Sequence, residues 1–297
     1  VPKDTLIAIC STSISTISVK RKLVEYGLNN IIYTHEVFNN SIEDIDTPLF
    51  VKQTKNDYLK NKLQWLDLFN ILADHESKKT LLNILRFRST ANPFYLCNYC
   101  VRLNEQYFEP FLDLDKEIFV DAGGFNGETT EIFCSTYPNY RKVFLFEPSK
   151  KNLELAKKKL KGQRDIHFFS EGLSDKSGIL HFDANSGPAS AISDSNASLP
   201  ISVTTLDEII TEPVSFIKMD LEGWELNALI GSKNHIITDR PKLAISVYHH
   251  AKDFRLIKDF LLSLDVNYRV YLRHYTEGWS ETVMYFVPKL NIHLCAI

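Results

Sequence analysis

No stretch of this chain comes near the ~18 consecutive apolar residues that a membrane-spanning helix requires, and no cationic, apolar, small-residue leader opens it. Neither a membrane span nor a secretory signal is therefore expected. The sequence starts at Val1 without a methionine, which points to a trimmed N-terminus. Cysteine is scarce and odd in number: Cys10, Cys97, Cys100, Cys134 and Cys295 are scattered, which suits a reducing cytoplasm better than a disulfide framework. Cys97-Asn98-Tyr99-Cys100 has the form of a zinc or redox half-site, but no second pair completes four soft ligands. These are read as packing cysteines on a helical segment. An excess of positive charge is also missing. With 34 Lys and Arg against 37 Asp and Glu, the net charge of −3 argues against broad nucleic-acid binding. No internal repeat, low-complexity tract or Gly-x-Gly-x-x-Gly dinucleotide fingerprint occurs.

What is present is an apolar strand, Ile118-Phe119-Val120, that ends in Asp121 and runs into Ala-Gly-Gly-Phe-Asn-Gly-Glu (122–128). Glycine lets backbone approach a ligand or turn with positive φ, so this reads as the nucleotide-binding loop of an α/β sheet. A carboxylate at the mouth of the strand repels a pyrophosphate and suits a cationic ligand, of which S-adenosylmethionine, with its sulfonium and amino group, is one. A second strand, Val143 to Phe146, ends at Glu147-Pro148, where an acid can accept from both ribose hydroxyls. Leu153, Ala156 and Leu160 share one helical face, and Ile166 to Phe169 leads into Ser170-Glu171-Gly172. Phe216 to Asp220 is a fourth strand. In an open parallel sheet the ligand lies beyond the carboxyl ends of the strands, so these acids should converge on one crevice.

Taken in order, the pieces Val-Asp-Ala-Gly-Gly-Phe-Asn-Gly-Glu-Thr (120–129), Phe-Glu-Pro (146–148), Ile-Lys-Met-Asp-Leu-Glu-Gly-Trp-Glu (217–225), Arg-Pro-Lys-Leu-Ala-Ile-Ser-Val-Tyr-His (240–249) and Leu-Arg-His-Tyr (272–275) resemble the FkbM-type methyltransferases. These are a branch of the class I S-adenosylmethionine-dependent enzymes. The resemblance implies a Rossmann-like sheet with helices on both faces. Leu-Ala-Asp-His-Glu-Ser-Lys (72–78), Leu-Arg-Phe-Arg (85–88) and Gln-Tyr-Phe (106–108) are similar to the leader of members associated with surface-polysaccharide genes. That implies O-methylation of a hydroxyl on a saccharide or polysaccharide precursor.

Asp121, Gly123, Gly124, Asn126, Gly127, Thr129, Glu147 and Pro148 are accordingly expected to bind S-adenosylmethionine, with Ser170, Glu171 and Gly172 near the adenine. Asp220, Glu222 and His249 are expected at the reacting end. Asp220 can hold the methionine amino group, act as base or ligate an ion; His249, after the strand Leu243 to Val247, serves as general base or makes a structural hydrogen bond. Glu225 fits the helix macrodipole alone. Magnesium is left open, with Asp220, Glu222 and Asp253 as possible ligands but no signature compelling them. Gln106-Tyr107-Phe108 and Arg273-His274-Tyr275 either wall the acceptor or belong to the core. The stretch 187–193 reads as a lid or adenine contact.

Upstream, a strand over Thr5 to Cys10, a helix over Val19 to Tyr26 closed by Gly27, and a strand over Asn30 to Tyr33 make a small α/β unit at 1–55. A helical connection follows at 56–114, with Leu59, Leu63, Leu66 and Phe69 on one face and Leu81, Leu82 and Leu85 on the next. The methyltransferase domain is expected at 115–290, with a tail at 291–297. Two other readings are a catalytically inactive module that kept the fold and, disfavoured by its missing fingerprint, an NAD-dependent oxidoreductase.

Overall fold

A computed structural model of the chain describes residues 2–40, 46–182 and 199–289. The stretch 187–193, Cys295 and the tail 291–297 lie outside the described residues. Contacts divide the chain into one unit of Val1–Gln106, Val247–Arg255 and Tyr271–Val283, and another of Tyr107–Ser246, Leu256–Val270 and Met284–Ile297. The first unit thus takes the chain up to Gln106 together with two stretches from far downstream, and residues 107–114 of the expected helical connection fall in the second.

In the first unit, β1 (Ile7–Ile9), α1 (Thr16–Glu25) and β2 (Ile31–Tyr33) form the expected parallel β-α-β element, with Gly27 at φ 78° closing α1. Next come α2 (Thr34–Asn40), α3 (Leu49–Lys60), α4 (Lys62–Ile71) and α5 (His75–Thr90). The face expected from Leu59 to Phe69 is interrupted, because the helix breaks at Asn61, whose side-chain amide donates to both the carbonyl and the carboxylate of Asp57. That break changes which face is covered. Trp65 and Leu68 are buried, whereas Leu59, Leu63 and Leu66 are exposed. Asp57 also accepts from Trp65 Nε1 at 2.9 Å and from Arg255 Nη2 at 2.7 Å, which ties the helix pair to the segment Val247–Arg255. In α5, Asp74 accepts from the Ser77 amide at the N-terminus, and Leu81, Ile84 and Phe87 face inward; Leu82 is exposed. The segment 97–100 is a turn rather than a helix. Cys97 and Cys100 are free and exposed.

His274 lies at the buried centre of this unit, its Nδ1 3.0 Å from Thr282 Oγ1 and its ring edge-on to Tyr99. Burial, with Arg88 and Arg102 nearby, pulls its pKa down to about 3. An imidazole kept neutral by folding stabilises the fold fully only above its unfolded value near 6.5, and that contribution is lost as pH falls toward about 3. At pH 5 the loss should be about 2 kcal/mol. Urea titrations between pH 7 and pH 4 check this, and His274→Asn should flatten the dependence. Equal slopes for both proteins would refute it.

The second unit contains β3 (Ile118–Ala122), α6 (Glu128–Thr136), β4 (Lys142–Phe146), α7 (Lys150–Lys159), β5 (Ile166–Phe169), β6 (Gly172–Leu173), β7 (Gly178–Phe182), β8 (Leu199–Thr204), α8 (Leu206–Ile209), β9 (Phe216–Met219), α9 (Glu225–Ile230), α10 (Lys233–Asp239) and β10 (Lys242–Ser246). After α11 (Asp253–Ser263), β11 (Tyr268–His274) and β12 (Thr282–Pro288) enter it through residues 268–270 and 284–288. Strand order is β11-β12-β10-β9-β3-β4-β5, and every pairing from β10 to β5 is parallel. Strands covered on both faces read as continuous apolar runs, which is why Phe119-Val120 and Val143-Phe144-Leu145-Phe146 carry no alternation. Phe119 packs on Phe133 of α6 at 4.4 Å and stacks on Phe216 at 4.9 Å. Leu153, Ala156 and Leu160 cover Leu145, as their helical spacing requires. A separate sheet, β6-β8-β7, follows β5; its strand β7 carries no signal recognised in the sequence. Among the described residues no helix is long and apolar enough to cross a membrane.

Candidate active site

The glycine loop lies at the carboxyl ends of β3, β4 and β9, where a crevice is expected. Gly123 and Gly127 take φ of 77° and 82°, and the amides of Gly123 and Gly124 both donate to the Phe146 carbonyl at 3.0 Å. Any side chain at Gly123 would collide with β9's exit, because a Cβ there would lie 2.0 Å from the Asp220 carbonyl oxygen. Gly124 is pressed against Leu145 and Gly127 against Ala156. Asn126 Oδ1 accepts from the Glu128 amide at the start of α6, and Thr129 is half-buried on that helix.

Glu147 closes the loop from the other side. Its Oε2 accepts from the Phe125 amide at 2.9 Å and its Oε1 from the Ser149 amide at 2.8 Å, next to Pro148. Burial raises its pKa, against those two bonds. An ionised carboxylate offers about four lone-pair sites, so two bonds leave capacity for a pair of ribose hydroxyls. At the end of β5, Ser170 is exposed, Glu171 half-buried and Gly172 buried where β6 begins.

Asp121 differs from expectation. It is fully buried, its Oδ1 accepts from Lys218 Nζ at 3.0 Å and its Oδ2 from Thr130 Oγ1 at 2.7 Å. The carboxylate expected to meet a cationic ligand thus pairs with a lysine of the protein. Lys218 is itself 2% exposed and donates further to the carbonyls of Ala122 and Gly123 at 3.2 and 2.8 Å. The pair therefore fixes the base of the loop. Sequence reading passed over Lys218, although a lysine inside the apolar run Phe-Ile-Lys-Met was a signal, since an ion buried in a strand needs a partner.

Asp220 follows β9 and its Oδ2 accepts from the Tyr107 hydroxyl at 2.7 Å; that hydroxyl is also 3.2 Å from Ser246 Oγ. Tyr107 is 5% exposed, takes φ 75°, and its ring lies 5.2 Å from Lys218 Nζ. Tyr107 therefore belongs to this constellation. Glu222 is exposed at φ 53°, whereas Glu225 is buried and its Oε1 accepts from the amides of Leu221 and Gly223. Glu225 thus orders the turn into α9. Trp224 Nε1 donates to Ser174 Oγ, a contact that sequence spacing does not announce.

His249 belongs to the first unit, half-buried with its ring 4.2 Å from Tyr248. Asp253, one of the acids considered for magnesium, lies there too. Its Oδ2 accepts from the His250 amide at 2.8 Å and faces His250 Nδ1 at 3.2 Å.

The methyltransferase FkbM domain family matches residues 121–272, more than half of the chain. A crystal structure of methyltransferase FkbM from Methylobacillus flagellatus KT is 25% identical, with a TM-score of 0.74, covering 91% of this chain and 70% of that one. An rRNA methylase from Streptococcus thermophilus is 19% identical (TM-score 0.39; 60% and 89% covered). Fibrillarin from Aeropyrum pernix, solved with S-adenosyl-L-methionine, is 10% identical (TM-score 0.41; 62% and 71% covered). Their TM-scores are too low for the likeness to carry an argument. No curated protein matches the chain. The domain match and the extensive structural likeness agree with the parallel sheet and glycine loop: the chain belongs to the FkbM family of S-adenosylmethionine-dependent methyltransferases.

Proposed function

We propose that this chain is an O-methyltransferase acting on a hydroxyl of a saccharide or saccharide-bearing precursor in the cytoplasm. The observation that carries the cofactor assignment is the glycine loop held by Glu147 through Phe125 and by Lys218 through Gly123. In this reading the close backbone approach leaves the ligand side to main chain, and Glu147 accepts from the ribose hydroxyls. Gly123, Gly124, Asn126, Gly127, Thr129 and Pro148 form the surrounding wall, and Ser170, Glu171 and Gly172 border the adenine. The acceptor class is supported by the likeness of residues 72–78 and 85–88 to members associated with polysaccharide genes.

S-adenosylmethionine supplies an electrophilic methyl group on a sulfonium. The protein's contribution is to align the acceptor oxygen behind that carbon and to take its proton as the bond forms. Asp220, oriented by the Tyr107 hydroxyl, orders the reacting end; Glu222 lies on the same turn. His249 is proposed as the base, since an imidazole nitrogen can take up the acceptor's proton. A divalent ion has no assigned role in this scheme.

Calorimetric titration with S-adenosylhomocysteine, paired with transfer of labelled methyl to glycan acceptors, tests both parts. Glu147→Ala should weaken binding about 10- to 100-fold, since hydrogen bonds to a charged group contribute roughly 1.5–3 kcal/mol. His249→Ala should lower turnover about 100- to 10,000-fold with that affinity unchanged. Unchanged turnover removes His249 from the mechanism. Binding without methyl transfer to any glycan refutes the acceptor assignment.

A further inference from the structure

The first unit carries a cleft that the methyl-transfer scheme does not use. It has a volume of about 470 Å³ and lies among α1, the β2–α2 corner and the turn Pro93–Leu96. That is within the roughly 300–1,000 Å³ of small-molecule sites. Its chemistry is mixed in a particular way. The Phe94 ring is 75% exposed, and the rings of Tyr33 and His35 lie 6.1 Å apart at a tilt of 32°. Lys20 Nζ sits 4.5 Å from the Tyr33 ring centre, and Glu36 is held in place because its Oε2 accepts from the Tyr33 amide at 2.8 Å. His35 Nδ1 is buried with no hydrogen-bond partner among the described residues. Burial lowers the His35 pKa, so at neutral pH the imidazole is uncharged and offers one donor and one acceptor. A second hollow of about 400 Å³ shares Ile17, Lys20 and Tyr33 with the first and adds Arg21 and Glu25.

We propose that the two hollows form one groove that binds an oligosaccharide segment of the acceptor, a subsite of the first unit that rests on the saccharide reading above. A sugar ring has an apolar C–H face and a rim of hydroxyls that both donate and accept. Aromatic faces meet the first need; an ammonium, a carboxylate and a neutral imidazole together meet the second. A phosphorylated ligand is matched less well, because Glu25 and Glu36 stand beside the cations. The shared residues let successive rings pass from one hollow to the next, so chain length should matter.

The test is saturation-transfer NMR on the full chain with maltotriose, triacetylchitotriose and trigalacturonate, each set against its monosaccharide. Transfer from at least one trisaccharide is expected to exceed that from its monosaccharide and to fall at least fivefold in Phe94→Ala and in His35→Ala. Phe94 is largely exposed, so its truncation should leave folding intact. S-adenosylhomocysteine affinity, measured on the same samples, should not change. No transfer from any trisaccharide, or equal transfer to wild type and both variants, overturns the subsite. If glycans are methylated while the groove variants bind and turn over normally, the subsite fails and the acceptor assignment stands. Groove-dependent binding without methylation of any glycan removes the acceptor assignment, and with it the groove's role as an acceptor subsite, leaving only a saccharide-binding groove.

Discussion

Replacing Lys218 with methionine is expected to destabilise the second unit by about 3–5 kcal/mol, the usual cost of removing one member of a buried ion pair. Methionine matches the length of the stem, so little volume is lost. What is lost is a cation serving the Asp121 carboxylate and the carbonyls of Ala122 and Gly123 at once. Thr130 remains on Asp121 but carries no charge. Adding Asp121→Asn removes the uncompensated anion, so the double variant should be more stable than the single one. Arginine is not expected to rescue, because a planar fork does not present three donors to three acceptors clustered around a compact ammonium. Urea unfolding of wild type, Lys218→Met and the double variant decides the matter. A single variant within 1 kcal/mol of wild type, on the order of the error of such curves, refutes the structural role of the pair.

Gly123→Ala should be of similar size for a different reason. The new methyl carbon would be built 2.0 Å from the Asp220 carbonyl oxygen, backbone that cannot swing aside like a flexible side chain. The position also needs φ of 77°. The conformational part is about 1–2 kcal/mol and the overpacking part about 1–3 kcal/mol. Gly162 separates the two. It has φ of 99° with nothing within 4 Å of a built Cβ, so Gly162→Ala should show the conformational part alone. Gly123→Ala should also abolish measurable S-adenosylhomocysteine binding, because the loop must leave its contact with β9 to admit the methyl group. If Gly123→Ala costs no more than Gly162→Ala and binds normally, close approach at this glycine is unimportant.

Several features were legible before any coordinates. Apolar runs specify strands covered on both faces, and an acid stands at or just past the carboxyl end of each: Asp121 within the last residues of β3, Glu147 after β4 and Asp220 after β9. The Leu153, Ala156 and Leu160 face emerged on the core side as read. Glycines 123 and 127 announced positive φ, and both have it. Local periodicity and backbone stereochemistry suffice for all of these, because each is decided within a few residues.

Other features depended on groups distant in sequence. Leu59, Leu63 and Leu66 have helical spacing, yet a break at Asn61 left them outside while Trp65 and Leu68 went in. Asp121 reads as a ligand-facing acid until Lys218, almost a hundred residues later, arrives across the β3–β9 pairing as its partner. Tyr107 precedes the sheet in sequence, and only folding brings its hydroxyl to Asp220. Sequence by itself determined the parallel strands of the main sheet, the glycine loop and the family, since pattern and φ preference act locally. Tertiary structure alone decided which carboxylates are paired inside the protein, because a buried charge is governed by the partner that reaches it through space.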